Sequence, residues 1–153
     1  MDVQYINPFI ASTIHVIKTM SSVDVQVGKP YLKKDEVAKG DVSGIIGLIG
    51  EIKGSISVSF SEGCILPIVS KMFQEEVKEM NDEVKDAVGE LSNMISGQAR
   101  QKLELIGRSL KASIPIVIMG KNHTISHMTK DKIIAIPFKT DNGDFTIEVS
   151  FEE

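Results

Sequence analysis

The chain has no tryptophan and only two tyrosines in 153 residues. It therefore offers no aromatic platform of the kind that stacks single-stranded bases. Basic residues are also short, 17 Lys and Arg against 21 Asp and Glu, for a formal net charge of −4. The pI near 5.4 argues against a partner bound through its phosphate backbone, which calls for a basic patch. One cysteine, Cys64, excludes an intramolecular disulfide and fits a reducing cytoplasm. No apolar run approaches the ~20 residues that span a bilayer. The start Met1-Asp2 lacks a basic region, and Gln4, Asn7 and Pro8 interrupt the apolar residues after it, so no secretory signal is expected. There is no repeat, low-complexity tract or linker. One domain over residues 1–153 is expected, cytoplasmic, with neither a nucleic acid nor a membrane as partner. At this length a chain buries roughly two-thirds of its unfolded surface.

What is present is organised around residues 81–108. Val84, Val88, Leu91, Ile95, Ala99, Leu103 and Ile106 recur at the i, i+3/i+4 spacing of a core-facing helical stripe. Asn81 or Asp82 suits the N-cap, Asp82 and Glu83 complement the positive end of the dipole, and Gly107 is a C-terminal stop. At about 100° per residue, Asp86, Glu90, Asn93 and Gly97 fall within about 60° of one another, nearly opposite the stripe. A glycine inside a helix costs about 1 kcal/mol relative to alanine. Gly97 therefore points to something that approaches this face closely.

The remaining elements come from period and punctuation. Residues 2–20 read as a helix with a stripe of Ile6, Phe9 or Ile10, Thr13, Ile14 and Ile17, Pro8 being tolerable near its first turn. Residues 23–33 alternate and then meet Gly28 and Pro30, as an edge strand does. Residues 33–40 read as a loop. Residues 42–50 and 52–60 form a strand pair joined at Gly50-Glu51; Ile52, Ile56, Val58 and Phe60 face inward, and Lys53, Ser55, Ser57 and Ser59 face water. Ser61 suits the N-cap of a helix through Phe73, which either starts near Leu66 with Pro67 at its first position or kinks at Pro67. Runs 114–119 and 133–138 read as strands, the second marked as an edge or bulge by Pro137. The turn at 141–144 leads into a last alternating strand, 145–152. The order α, β-rich, α, α, β-rich has no interspersed crossover helices, which predicts an α+β fold with a mainly antiparallel sheet.

Other chemistry is incomplete. Lys53-Gly54-Ser55 lacks phosphate-loop spacing and sits inside a strand pattern. His123 and His127 lie four apart without a third ligand, so they read as surface histidines and no metal site is expected. His15 reads as structural. Cys64 lies between apolar neighbours and reads as a small core residue. Asp82, Asp86 and Glu90 form an acidic stripe, and no second half of a carboxylate pair or divalent-metal site stands elsewhere.

The helix 81–108 does resemble the signature helix of the CheC/CheX/FliY family of bacterial chemotaxis phosphatases. The residues that carry the resemblance are Asp86-x3-Glu90-x2-Asn93-x3-Gly97. It extends over nearly the whole chain, through Asn7, the strand pair 42–60, the short helix after it and the proline-bearing run 133–138. It implies a CheC-like layer of sheet packed by about three helices, one of them long. It implies dephosphorylation of a response regulator that carries an acyl phosphate on an aspartate. By resemblance Asn93 positions the attacking water and Glu90 pairs with the regulator's active-site lysine. Gly97 and Ser96 let the partner's backbone come close, and Asp86 supports the contact. No cofactor of the chain's own is implied; Mg²⁺ belongs to the regulator. Family members of the CheC type carry two E-x-x-N helices. Here residues 61–73 hold none, which places the chain with the CheX type and implies a homodimer joined through its sheets. The alternative is a non-catalytic module of the same fold that binds a response regulator or a flagellar-switch component. The presence of both Glu90 and Asn93 on one face weighs against it.

Overall fold

Alternating apolar and small polar residues build the centre of the protein. The computed structural model describes residues 3–125, 127 and 132–152. Strands β3 (Val42–Gly50) and β4 (Lys53–Phe60) pair antiparallel, and β4 pairs with the long β8 (Gly143–Glu152). β8 pairs in turn with β7 (Ile133–Thr140). Two short strands, β1 (Gln26–Val27) and β2 (Tyr31–Lys33), share the outer edge of β7, and β5 (Leu110–Ala112) and β6 (Ile116–Met119) share that of β3. Every pairing is antiparallel. Three helices, α1 (Val3–Ser21), α2 (Glu62–Phe73) and α3 (Asp82–Leu105), complete the expected α+β architecture. The expected helix start at residue 2 lies outside the described residues.

The helices cover one face of the sheet. Ile46, Leu48, Ile56, Val58, Phe60, Phe145, Ile147 and Val149 form the buried floor. Phe145 stacks on Phe138 at 4.8 Å between ring centres and leans on Phe60 at 5.0 Å. Such pairs add about 0.5–1.5 kcal/mol to their burial. α1 contributes Phe9, Val16 and Ile17, so Phe9 rather than Ile10 faces the core. Pro67 is accommodated within α2, whose N-cap is Ser61.

The opposite face departs from expectation. Ser55, Ser57 and Ser59 do not face water; all three are buried. His123 and His127, which follow β6, lie over this face. His123 bonds Ser43, which bonds Ser59, while His127 bonds Ser55 through Nδ1 and Glu148 through Nε2 at 3.1 Å. Glu148 also accepts from Lys33 Nζ at 2.6 Å, both side chains being buried. The two histidines are thus neither surface groups nor a metal pair but ties between a loop and a serine-lined sheet. Their spacing of four reflects two separate sheet contacts, which no local pattern reveals. His15, read as structural, is exposed on α1.

The edges are more broken than the sequence indicates. Residues 23–33 supply two strands because Gly28 and Pro30 interrupt them. Pro137 sits inside β7 without disturbing it. Its carbonyl accepts from Gly28 N at 2.7 Å, so its missing N–H faces the gap between β1 and β2. Run 114–119 starts only at Ile116, after Pro115, and β5 carries no sequence signal of its own.

α3 sits unusually close to β3 because of Gly44. A Cβ there would overlap the Ser92 hydroxyl and crowd Val88 Cγ1 at 3.3 Å. Gly44→Ala is therefore expected to destabilise the fold by about 1–3 kcal/mol through overpacking. Thermal melting followed by circular dichroism should fall by roughly 3–10 °C, and an unchanged melt would show that the helix can shift freely.

Candidate functional site

The close seat at Gly44 fixes the rotation of α3 about its own axis. Val84, Val88, Leu91, Ile95, Ala99 and Leu103 are fully buried, as their spacing predicts. Ile106 departs from the stripe; it is the C-cap and is 44% exposed. The N-cap is Asn81, whose side chain accepts from Val84 N at 3.1 Å. Gly107 ends the helix with φ +86°, a left-handed stop that glycine reaches without strain.

With that face inward, Asp86, Glu90 and Asn93 are exposed on the other side and Gly97 is half-buried. Among the described residues, the side chains of Asp86, Glu90 and Asn93 have no hydrogen-bond or ion-pair partner. Their backbone is held by a well-packed helix, yet their polar groups are committed to nothing. Ser96 does not join them. It is 1% exposed and its hydroxyl donates to the Asn93 carbonyl at 3.1 Å. The expected partner contact at Ser96 is therefore not met by its placement. One residue before Gly97, it has rotated onto the inward side of the helix.

Gly97 has open space around it. A Cβ would meet only Arg100 Nη2, at 4.0 Å, an ordinary contact. The glycine is thus not required by the protein's own packing. Two concavities flank this face. One, of about 280 Å³, lies between Met20, Met72, Phe73, Asp86 and Glu90. The other, of about 390 Å³, begins at Met94 and Gly97 and reaches Arg100, Glu104 and Leu110. The first is not legible in the sequence, since Met20, Met72 and Phe73 come from α1 and α2; the second is walled by α3 itself and closed by Leu110 of β5.

Chemically the face offers two carboxylates, Asp86 and Glu90, and one neutral amide, Asn93, each about a helical turn from the next. Among the described residues there is no group of three or more His, Cys, Asp or Glu placed to hold a metal ion. Cys64 is fully buried, and burial pushes its thiol up to about 11, away from nucleophilic use. Among those residues no helix is long and apolar enough to cross a membrane.

Residues 42–139, which include all of α3, match the family described as chemotaxis phosphatase CheX. The chain belongs to the CheX family. The CheY-P phosphatase CheX of Thermotoga maritima is 28% identical over 152 residues, covering 98% of this chain and 97% of that protein. A CheC-like superfamily protein from a Shewanella species superposes with a TM-score of 0.94 at 46% identity, each chain covered in full. The Borrelia burgdorferi CheX–CheY–BeF3–Mg²⁺ complex contains a chain with a TM-score of 0.84 and 29% identity, covering 97% of this chain and 98% of that one. The CheX-type sheet and helix arrangement therefore extends over essentially all of the chain.

Since only the helix propensity of Gly97 is at stake in the isolated protein, Gly97→Ala should fold and gain up to about 1 kcal/mol. A raised denaturant midpoint with unchanged slope is the expected result; a lowered midpoint would show a packing role for the glycine.

Proposed function

We propose that the protein, as one CheX-type domain over residues 1–153 in the cytoplasm, hydrolyses the aspartyl phosphate of a CheY-like response regulator. What carries this reading is the exposed, uncommitted pair Glu90 and Asn93 on the central helix of a CheX-family chain. An acyl phosphate already has a good leaving group. The remaining task is to hold one water in line with phosphorus. Water attacks phosphorus, the bond to the aspartate oxygen breaks, and inorganic phosphate and a free carboxylate result.

Asn93 suits this task because its amide oxygen accepts from the water while its nitrogen donates to a phosphoryl oxygen. It is a neutral group that orients the water without acting as a base. Glu90, one turn before it, forms an ion pair with the regulator's active-site lysine and so aims α3 into the phosphorylation pocket. Asp86 supports that contact, and Gly97 lets the partner's backbone approach. The Mg²⁺ and the carboxylates that hold it belong to the regulator. The Borrelia complex supports this division, since it joins a CheX to a CheY together with Mg²⁺ and BeF3, a group that stands in for phosphoryl. We include in the proposal a homodimer of CheX type. The exposed Ile114 and Ile116, at 87% and 65%, lie at and just before β6 on one sheet edge and favour association there.

The test is loss of phosphate from the organism's own phosphorylated regulators with and without the protein. Asn93→Ala should lower the stimulated rate about 10²–10³-fold while binding persists. Glu90→Ala should weaken binding about tenfold, the effect of losing roughly 1.4 kcal/mol across an interface, and Glu90→Lys more. If wild-type protein accelerates no regulator's dephosphorylation but still binds one, the non-catalytic module is the correct reading. Light scattering should give twice the monomer mass; a monomer at micromolar concentration would remove the homodimer.

A further inference from the structure

The concavity beyond Gly97 holds a guanidinium with one edge unused. Arg100 is half-buried and lines it. Its Nη1 donates weakly to Leu110 O at 3.4 Å. Among the described residues neither Nε–H, which is buried, nor Nη2 has an acceptor, and Nη2 lies beside the open space over Gly97. Nη2, beside the open space, is the donor that an incoming carboxylate can reach, with a charge-assisted hydrogen bond. Glu104 lines the same concavity but makes no ion pair with Arg100.

We infer that Arg100 is a specificity-determining docking residue that receives a carboxylate side chain of the phosphorylated response regulator through Nη2. This rests on the proposed phosphatase reading and extends it along α3. Arg100 comes seven residues after Asn93, so it lies about 20° around and about 10 Å further along the helix. A stable protein–protein contact takes about 800 Å² from each partner, more than two side chains provide. An interface centred on Glu90 and Asn93 must therefore run in both directions along α3. The two directions differ in charge. Asp82 and Asp86 lie toward the N-terminus and repel the carboxylates that a Mg²⁺-holding partner displays around its site. Arg100 lies toward the C-terminus and attracts them. Gly97 keeps the space between Asn93 and Arg100 free of a side chain. Arg100 thereby selects which way the regulator lies across the helix.

The experiment measures turnover of a phosphorylated CheY-type regulator together with binding of the same regulator activated by beryllofluoride and Mg²⁺. Arg100→Ala should raise KM and the binding Kd about tenfold while kcat stays within about twofold of wild type. It should also flatten the rise of KM with salt. Arg100→Lys, which keeps the charge but not the planar guanidinium, should fall between the two. An Arg100→Ala protein with unchanged KM and Kd overturns the inference. So does a variant whose kcat and melting temperature fall together with binding, which would assign Arg100 to the Leu110 contact alone. Binding without turnover in wild type would overturn the phosphatase reading and still decide the role of Arg100. Neither binding nor turnover would overturn both.

Discussion

The contact between α3 and β3 at Gly44 governs this structure. A helix laid on a sheet has a free rotation about its axis, and an apolar stripe alone leaves that rotation loosely set. Here the absent side chain of Gly44 admits Ser92, whose hydroxyl returns to the Val88 carbonyl at 2.7 Å. Val88 and Ser92 are pressed onto the strand, and the rotation is fixed. Glu90 and Asn93 are carried outward as a direct consequence. The placement of the site is thus decided on the far side of the helix from the site itself.

The sheet resists deformation on both faces for different reasons. The helical side is an aromatic and aliphatic core with Phe60, Phe138 and Phe145 at its centre. The other side is a hydrogen-bonded layer in which Lys33, Glu148, His127 and Ser55 are joined in one chain of contacts. Such buried charge is tolerated only when its members satisfy one another. The layer ties residues distant in sequence, Lys33 to Glu148 above all, and holds His127 against the sheet.

Much of this is legible in the amino-acid sequence. The bounds of α3, its cap at Asn81 and its stop at Gly107 come from period and punctuation, because helix signals are local. The E-x-x-N face is legible for the same reason: angular position on a helix depends only on spacing. The serine face of β4 is not, since alternation shows that two faces differ and cannot show whether a distant loop covers the polar one. Ser96 departs from its expected place for a subtler reason. It adjoins Gly97 in sequence, yet one residue is about 100° of rotation. The placement of Arg100 Nη2 escapes a sequence reading because the guanidinium is held through Nη1 by the Leu110 carbonyl, on another element.

Consider what the uncommitted state of Glu90 and Asn93 means for how such a site persists or decays. Neither side chain supports the fold, so substitutions there leave folding and abundance intact. Under the proposed function, any constraint on them comes through the partner. A lineage that lost its regulator would keep a sound scaffold while these two positions drifted. Conversely, a small number of surface changes on α3 could retune the scaffold toward a different regulator without renegotiating its core.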